Sequence, residues 1–404
     1  MEFWVPYGTT EVPVRVPDTN FYRILEPAKP TANTPAIATL IGQSLENPVG
    51  NVSLTSLVKQ GSTIGMVVDP AIPENTLRTI VDDLQSRLSN VGAKEVKVFV
   101  RARHSSQIQS EWKKINPQED TFVEVGRTTH GTRVSIEQGF HSCDVKILVG
   151  IIQPHFASSF AGGPDLVIPG VSSLPTIEAN RSLSLNHQAD PLRYSENTVY
   201  LDSLEASRMI GSTYLVTLVP DEWNGVSAIY SGDVEPTFKE AVSHFTREHS
   251  HPIENRPEII VVSSDGPEYS SDLYHAVRVL PFLWNVLKRD ASTIVLAGEC
   301  KQGVGNDNFL RFSKNSEDRK TLQNELKHDF KLGGHVALLL KEALEKSRVQ
   351  LVSVLPDVYT KSFGLKPSRT VSAGVQSAIR AEGKDSKVLI VTRGSLMIPV
   401  MPSS

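Results

Sequence analysis

Residues 143–170 constrain the fold of this chain more than any other stretch. They begin with an apolar run, residues 145–152, that is typical of a buried strand. His155 follows this run, and a loop of small residues then closes at Pro169-Gly170. In α/β proteins, ligands bind where strands end in glycine-bearing loops, because backbone amides can closely approach a phosphate or a carboxylate there. The stretch therefore predicts an α/β fold with a ligand site at this strand end.

Strands and helices are predicted to alternate along the rest of the chain. Apolar runs at 63–68 and 96–100 indicate buried strands. Residues 74–91 have the spacing of an amphipathic helix, whose apolar face would contain Leu77, Ile80, Val81, Leu84 and Leu88. The second half continues with a strand at 258–263 and a helix at about 271–288. This alternation predicts a mainly parallel, doubly wound sheet.

The length and one polar stretch indicate the domain organisation. A chain of 404 residues is too long for one ordinary domain, so we expect two α/β domains with separate cores. The polar residues 247–257 precede a new series of strands and helices. We therefore predict an N-terminal domain over residues 1–255 and a C-terminal domain over residues 256–404.

Composition and charge narrow the class of protein. The chain is 39% hydrophobic and 21% charged, with a net charge of -4, as in a soluble globular protein. This charge gives no electrostatic reason to expect a nucleic acid or an anionic membrane as partner. Apolar stretches stay shorter than the roughly 18 residues that a membrane-spanning helix needs, and the first residues lack a signal-peptide pattern. We expect a cytoplasmic protein, and the sequence leaves open whether it forms a homo-oligomer.

Polar side chains follow several of the predicted strands. They are Asp69, His104, His155 and the pair Tyr274-His275. Because the carboxyl ends of parallel strands lie along one edge of a sheet, these side chains are candidates for one site. Histidine gains and loses a proton near neutral pH, and a racemase needs one such group on each face of its substrate. Each of these features also has a purely structural explanation. A lone histidine could be packed in the fold, a glycine loop could be a plain turn, and an arginine such as Arg278 could form a surface ion pair.

Several motifs resemble those of the lactate racemase family, the nickel-pincer-nucleotide enzymes. They occur in the family's order over most of the chain and read VPYGTTEVPVRVPD, SLENPVG, VVDPAIP, VRARHSS, VGRTTHGTRVSI, PHFASSFAGGPDLVIPG, VVSSDGPEYSSDLYHAVR and AGECKQGVG. The resemblance implies two α/β domains with a cleft between them. It also implies racemisation or epimerisation at the carbinol carbon of a 2-hydroxy acid, with a nickel-pincer nucleotide as transient hydride acceptor.

The resemblance also implies roles for particular residues. The family's two catalytic histidines fall on His104 and His155. Its cofactor loops fall on Asp69, Ser158, Gly162, Gly163, Asp165 and Arg181. Its substrate-binding segment falls on Tyr274, His275 and Arg278.

Five of the family's functional positions carry other residues here. Ile72 stands at the position of the arginine that would bind the substrate carboxylate. Asp165 stands at the position of the lysine that would hold the cofactor covalently. Arg181 stands at the position of the histidine that would ligate nickel. His275 and Arg278 stand at the positions of a glutamine and a lysine. An aspartate cannot form the thioamide link, so we expect any nickel-pincer nucleotide to be bound non-covalently. The alternatives are a binding or sensory protein without turnover, and a metal-free isomerase or lyase in which Asp165 and the histidines act as acid and base.

Overall fold

The computed structural model describes residues 1–28, 35–101, 111–186, 193–288, 292–315 and 318–402. The chain forms two compact units. The central unit contains the described residues between 35 and 248, and the terminal unit contains residues 1–28 together with the described residues from 249 onward. Each unit has its own mainly parallel sheet, which confirms the predicted α/β class.

The terminal unit begins with three strands. They are β1 (Glu2–Tyr7), β2 (Thr10–Arg15) and β3 (Phe21–Leu25). β1 and β2 form an antiparallel hairpin, and β3 pairs in parallel with a strand near the far end of the chain, where Leu25 is opposite Val391. The sequence prediction assigned these residues to the N-terminal domain, 1–255. The structure places them with the C-terminal residues instead, because β3 completes the edge of that sheet.

The central unit follows the predicted alternation of strands and helices. Its elements are α1 (Ile37–Glu46), α2 (Leu54–Leu57), β4 (Thr63–Val68), α3 (Glu74–Asn90), β5 (Glu95–Arg101), β6 (Lys113–Ile115), β7 (Phe122–Arg127), β8 (Arg133–Glu137), α4 (Gln138–His141), β9 (Val145–Ile151), β10 (Gln153–His155), β11 (Ser159–Ala161), α5 (Leu174–Ser182), α6 (Thr198–Met209), β12 (Thr213–Pro220), β13 (Val226–Gly232) and α7 (Val234–His249). Short 3-10 helices occupy Pro164–Leu166, Leu183–Asn186 and Tyr194–Glu196.

The main sheet of the central unit has the order β13-β12-β9-β4-β5-β6. Its strands are parallel except at the edge, where β13 runs antiparallel to β12. The apolar face of α3 is buried in the core, as the helical spacing predicted. β4 and β9 are direct neighbours, so the loops after their carboxyl ends start side by side. One of these loops carries Asp69 and the other carries His155.

The remaining elements of the terminal unit alternate in the same way. They are β14 (Ser250–Pro252), β15 (Ile259–Ser263), α8 (Pro267–Ser270), α9 (Leu273–Ala276), a 3-10 helix (Val277–Val286), β16 (Thr293–Ala297), α10 (Asp307–Asn315), α11 (Arg319–His328), α12 (Gly334–Lys346), β17 (Arg348–Val352), α13 (Asp357–Ser362), β18 (Lys366–Ser368), α14 (Val371–Glu382), β19 (Val388–Val391) and β20 (Ile398–Val400).

The terminal unit's sheet has the order β18-β17-β16-β15-β19-β3 and is parallel throughout. The chain moves outward from β15 in one direction and then returns to β19 on its other side. The carboxyl end of β15 therefore lies where the strand order reverses, which is the usual place for a ligand in an open α/β sheet. The segment that carries Tyr274, His275 and Arg278 begins there.

The predicted single helix at about 271–288 is divided in the structure. Its first turn is α9, and the remainder is the 3-10 helix that contains Pro281. Proline lacks the amide hydrogen for an α-helical bond and crowds the preceding turn, so a regular α-helix cannot continue through it. None of the helices within the described parts of the chain is long and apolar enough to span a membrane.

Candidate functional site

Residues 153–165, which we call the histidine loop, follow the central strand β9. Strands β10 and β11 form a tight antiparallel hairpin in which His155 is opposite Ser159. Ser159 has a φ of 65°, a left-handed conformation that costs energy for a residue with a side chain. Its surroundings stabilise this conformation: the Asn197 side-chain amide donates to the Ala157 carbonyl at 3.0 Å and to Ser159 Oγ at 3.2 Å.

The backbone of the histidine loop fixes the imidazole of His155. Nδ1 lies 3.3 Å from the amide nitrogen of Ala157, 3.1 Å from that of Ser158 and 2.9 Å from Ser158 Oγ. Because backbone amides can only donate, Nδ1 is the acceptor and the neutral ring carries its proton on Nε2. Ser158 is buried, and its hydroxyl lies within hydrogen-bond distance of both Nδ1 and the Phe160 carbonyl, so its single proton serves one of these acceptors at a time. The arrangement makes the neutral His155 ring a proton donor at Nε2.

Asp165 binds the two glycine amides that the sequence analysis proposed for a cofactor. Its Oδ1 accepts hydrogen bonds from the backbone amides of Gly162 and Gly163, both at 2.8 Å. Gly162 has a φ of 98°, and a Cβ there would lie 2.2 Å from the Ile151 carbonyl oxygen. Only glycine tolerates both this positive φ and the lack of room for a Cβ. The carboxylate of Asp165 therefore occupies the backbone donors that an anionic ligand would otherwise use.

Arg181, at the predicted nickel-ligand position, lies in a buried polar network. Its Nη1 donates to Asn180 Oδ1 at 2.9 Å, and Asn180 Nδ2 donates to Asp202 Oδ2 at 2.8 Å. Asp202 is fully buried and also accepts from Thr128 Oγ1 at 2.5 Å. The charge of Arg181 favours the ionised form of Asp165. Asp165 and Arg181, which both depart from the family pattern, therefore carry opposite charges that interact with each other.

Burial has the largest effect on Asp165. It raises the pKa of this carboxyl above its ordinary range, although the amides of Gly162 and Gly163 and the charge of Arg181 act in the opposite direction. The folded protein consequently binds a proton here more tightly than the unfolded chain does. Ionisation of Asp165 therefore lowers the free energy of unfolding as the pH rises from the ordinary pKa of about 4 through the raised pKa.

This shift predicts the pH dependence of the Asp165→Asn variant. The amide keeps an oxygen acceptor for the two glycine amides but has no charge to bury. We expect its urea-unfolding midpoint to fall less steeply than that of the parent protein between about pH 4 and pH 7. Asp144→Asn is the matched control, because hydrogen bonds from the Thr63 amide and hydroxyl lower the pKa of the exposed Asp144. Its effect has the opposite sign and is confined to more acidic pH. Identical slopes for Asp165→Asn and the parent would contradict the assignment.

Asp69 and Ile72 lie beside the histidine loop at the end of β4. The Asp69 amide donates to the Val149 carbonyl at 2.8 Å, and its Oδ1 accepts from the Ala71 amide at 2.9 Å. Ile72 is buried and packs in the apolar core. The position that would carry a carboxylate-binding arginine is thus structural here. The other predicted catalytic histidine, His104, lies outside the described residues.

The predicted substrate residues form one cluster in the terminal unit. The Arg278 guanidinium lies over the Tyr274 ring, 4.1 Å from its centroid, and the His275 ring meets Tyr274 edge-on at 5.2 Å. A cation on an aromatic face is attracted by the negative charge of the ring face and is held in place there. The structure therefore places Tyr274, His275 and Arg278 together, with a positive charge that suits a small acid.

Two residues near these clusters were not singled out from the sequence. Asn197 caps α6, accepting from the amides of Val199 and Tyr200, while its amide supports the histidine loop. Asp272 precedes His275 by one helical turn and caps α9. Each occupies the position typical of an N-cap, and that is the only signal for them in the sequence.

The fold and the two clusters define a class of protein. It is a two-unit α/β protein with a histidine at a central strand end and a guanidinium-aromatic cluster at a strand-order reversal. Two family models match consecutive regions that together include most of the chain. The lactate racemase N-terminal domain matches residues 7–191, and the lactate racemase C-terminal domain matches residues 253–398. The chain belongs to the lactate racemase family.

Individual relatives align with this chain over nearly its whole length. The lactate racemase of Thermoanaerobacterium thermosaccharolyticum is 21% identical over 422 aligned positions, with 98% of each chain covered. The lactate racemase of Lactiplantibacillus plantarum is 21% identical and covers 96% of this chain and 97% of its own. Both named relatives are isomerases.

Solved structures share the fold. The apoprotein structure of the Thermoanaerobacterium thermosaccharolyticum lactate racemase superposes with a TM-score of 0.85 at 19% identity, covering 99% of this chain and 100% of the other. A protein from Thermotoga maritima superposes with a TM-score of 0.67 at 15% identity, covering 91% of this chain and 97% of the other. These matches establish the fold that the sequence motifs implied.

Proposed function

We propose that this protein is a racemase or epimerase that inverts the carbinol carbon of a 2-hydroxy acid. Family membership across both units supports this class of reaction. The observation that carries the proposal is the histidine loop, in which three polar groups of Ala157 and Ser158 hold His155 in one orientation. A catalytic imidazole needs such fixed placement, since proton transfer depends on hydrogen-bond geometry.

His155 has a defined role in this proposal. Its neutral ring carries a proton on Nε2, so it donates to the substrate's oxygen and does not take a proton at that atom. The complementary proton-accepting role then falls to a second group, for which the sequence predicts His104. In the terminal unit, taken by itself, Arg278 keeps the positive charge of the family's lysine and is the proposed contact for a carboxylate.

The family implies a nickel-pincer nucleotide, which would be bound non-covalently because Asp165 stands at the position of the family's lysine. The described residues do not fit this group. Asp165 has no amine for a covalent link, and its carboxylate already binds the Gly162 and Gly163 amides. A guanidinium, Arg181, replaces the nickel-ligating imidazole. Within the described ranges, no group of three or more histidine, cysteine, aspartate or glutamate side chains is arranged to hold a metal ion. No step is therefore derived through this cofactor.

A metal-free isomerase or lyase is the second candidate function. The raised pKa of Asp165 favours it, because a buried carboxyl with such a pKa can give and take a proton closer to neutral pH. This chemistry needs a substrate with a more acidic C–H bond, such as one beside a ketone. Asp165 and the histidines would then serve as acid and base.

One experiment tests both candidates. The purified protein is incubated with enantiomerically pure 2-hydroxy acids, sugar acids and keto acids, with and without added nickel-pincer nucleotide, and chiral chromatography follows the products. Inversion of a 2-hydroxy acid is the expected result. Conversion of keto acids alone, without the nucleotide, would replace the first proposal by the second. If no compound reacts but one binds in calorimetry, both proposals fail in favour of a binding or sensory protein.

A further inference from the structure

Two glycine amides of the histidine loop are held in place by neighbouring elements. We call the backbone amides of Gly162 and Gly163 the glycine cradle. The Gly162 carbonyl accepts a hydrogen bond from Oγ1 of Thr217, a fully buried residue of β12, at 2.7 Å. A Cβ at Gly150 of β9 would lie 2.6 Å from the Gly162 carbonyl oxygen, and a Cβ at Gly163 would lie 2.3 Å from the Phe238 ring of α7. These elements therefore fix the cradle through contacts that do not involve the side chain bound to it.

Asp165 uses both donors of the glycine cradle. Its Oδ1 accepts from the two amides at 2.8 Å each, and a backbone amide has a single hydrogen to donate. The backbone of Asp165 is also fixed, because its carbonyl accepts from the Gly170 amide at 3.0 Å. An anionic ligand would have to displace this carboxylate in order to reach the same donors.

The charges around the cradle also oppose an anionic ligand. A nucleotide carries a negatively charged phosphate, and like charges repel strongly where water is excluded. Arg181 supplies the positive charge that favours ionised Asp165. This arginine donates to Asn180, which in turn donates to the buried Asp202. The chain thus provides both the anion and its countercharge from its own side chains, at positions where the family pattern has a lysine and a histidine.

We propose that Asp165 is an internal ligand of the glycine cradle and thereby excludes the nickel-pincer nucleotide from this chain. The protein then takes up the nucleotide neither covalently nor non-covalently, although the family pattern implies this group. The alternative is a structural role alone, in which the carboxylate stabilises the start of the 3-10 helix Pro164–Leu166 and the nucleotide can still bind. The two differ in uptake of the nucleotide, which is measured without any substrate.

Native mass spectrometry after incubation with the nickel-pincer nucleotide tests the proposal. We expect no nucleotide-sized adduct on the parent protein and a non-covalent adduct on Asp165→Ala, which lacks the carboxylate but keeps the cradle. Asp221→Ala is the matched control, because Asp221 Oδ1 also accepts from two backbone amides, those of Trp223 and Gly225, both at 2.7 Å in an exposed turn. It should behave as the parent does. An adduct on the parent would overturn the proposal.

A double variant includes the effect of the lost nickel ligand. Asp165→Ala combined with Arg181→His removes the carboxylate and returns the imidazole of the family pattern. We expect it to retain more nickel in metal analysis than Asp165→Ala alone, and thermal unfolding shows whether each variant is folded. If both folded variants fail to take up the nucleotide, Asp165 is not the group that excludes it, and the proposal is overturned.

Formate gives an independent measurement, since it is the carboxylate that the alanine substitution removes. Asp165 is partly exposed, so a small anion can reach its position in the variant. We expect formate to raise the thermal unfolding midpoint of Asp165→Ala by a few degrees relative to chloride at the same ionic strength. The parent and Asp221→Ala should show no such difference. An equal effect on all three proteins would contradict the assignment of Asp165 as a ligand of the cradle. These results do not depend on whether any 2-hydroxy acid is turned over.

Discussion

Replacing His155 by asparagine is expected to lower kcat by about 10²–10⁴-fold, the usual contribution of a positioned acid or base. Asparagine retains an oxygen acceptor near the position of Nδ1, so the amides of Ala157 and Ser158 keep their partner. It lacks Nε2, which carries the transferable proton. The hairpin should stay folded while proton transfer is lost. Chiral chromatography of the identified 2-hydroxy acid measures kcat, and thermal unfolding measures stability.

Two further variants make the His155 result specific. His155→Ala removes both the acceptor and the acid, so it should lose stability as well as activity. His130→Asn changes an exposed histidine of the same unit and should affect neither. Full activity in His155→Asn would show that the ring only stabilises the loop, and the proposed acid would have to be another residue.

Replacing Arg278 by glutamine is expected to raise KM for acid substrates by about 10- to 150-fold, with kcat changed little. A charge-assisted hydrogen bond contributes about 1.5–3 kcal/mol, and each 1.4 kcal/mol is about tenfold in affinity. Arg278→Lys keeps the charge but loses the planar donor pair and the stacking on Tyr274, so an intermediate KM is expected. Initial rates over a range of substrate concentrations separate KM from kcat.

The terminal unit offers a matched control for Arg278. Arg311 also lies over an aromatic ring, 4.4 Å from the Phe312 centroid, and is exposed. Arg311→Gln should leave both kinetic constants unchanged. An unchanged KM in Arg278→Gln would favour the alternative from the sequence analysis, in which this arginine forms a structural ion pair.

The main strands and the face of α3 could be predicted because their signals are local. An apolar run of six residues at Thr63–Val68 is buried wherever it packs in a sheet, and it forms β4. The helical spacing from Leu77 to Leu88 fixes the buried face of α3 without information from the rest of the chain. The apolar spacing at 271–288 predicted one α-helix. This prediction was wrong for most of the segment, because the part that contains Pro281 is a 3-10 helix.

Contacts between distant parts of the chain were beyond the sequence. β3 pairs with β19 across more than three hundred residues, and no local pattern indicates that partner. The same limit applies to Gly305, whose close approach to Asp272 brings together two different loops. The coupling of Asp165 to Arg181 likewise needs the path of the chain through the intervening turn and α5.

The sequence by itself determined the α/β class, the family and the residue types available for chemistry, because each of these follows from short motifs and their order. Only the tertiary structure decided which nitrogen of each histidine carries the proton. His155 Nδ1 meets backbone amides, whereas His275 Nδ1 meets a carboxylate. Since an amide donates and a carboxylate accepts, the neutral ring carries its proton on Nε2 in His155 and on Nδ1 in His275.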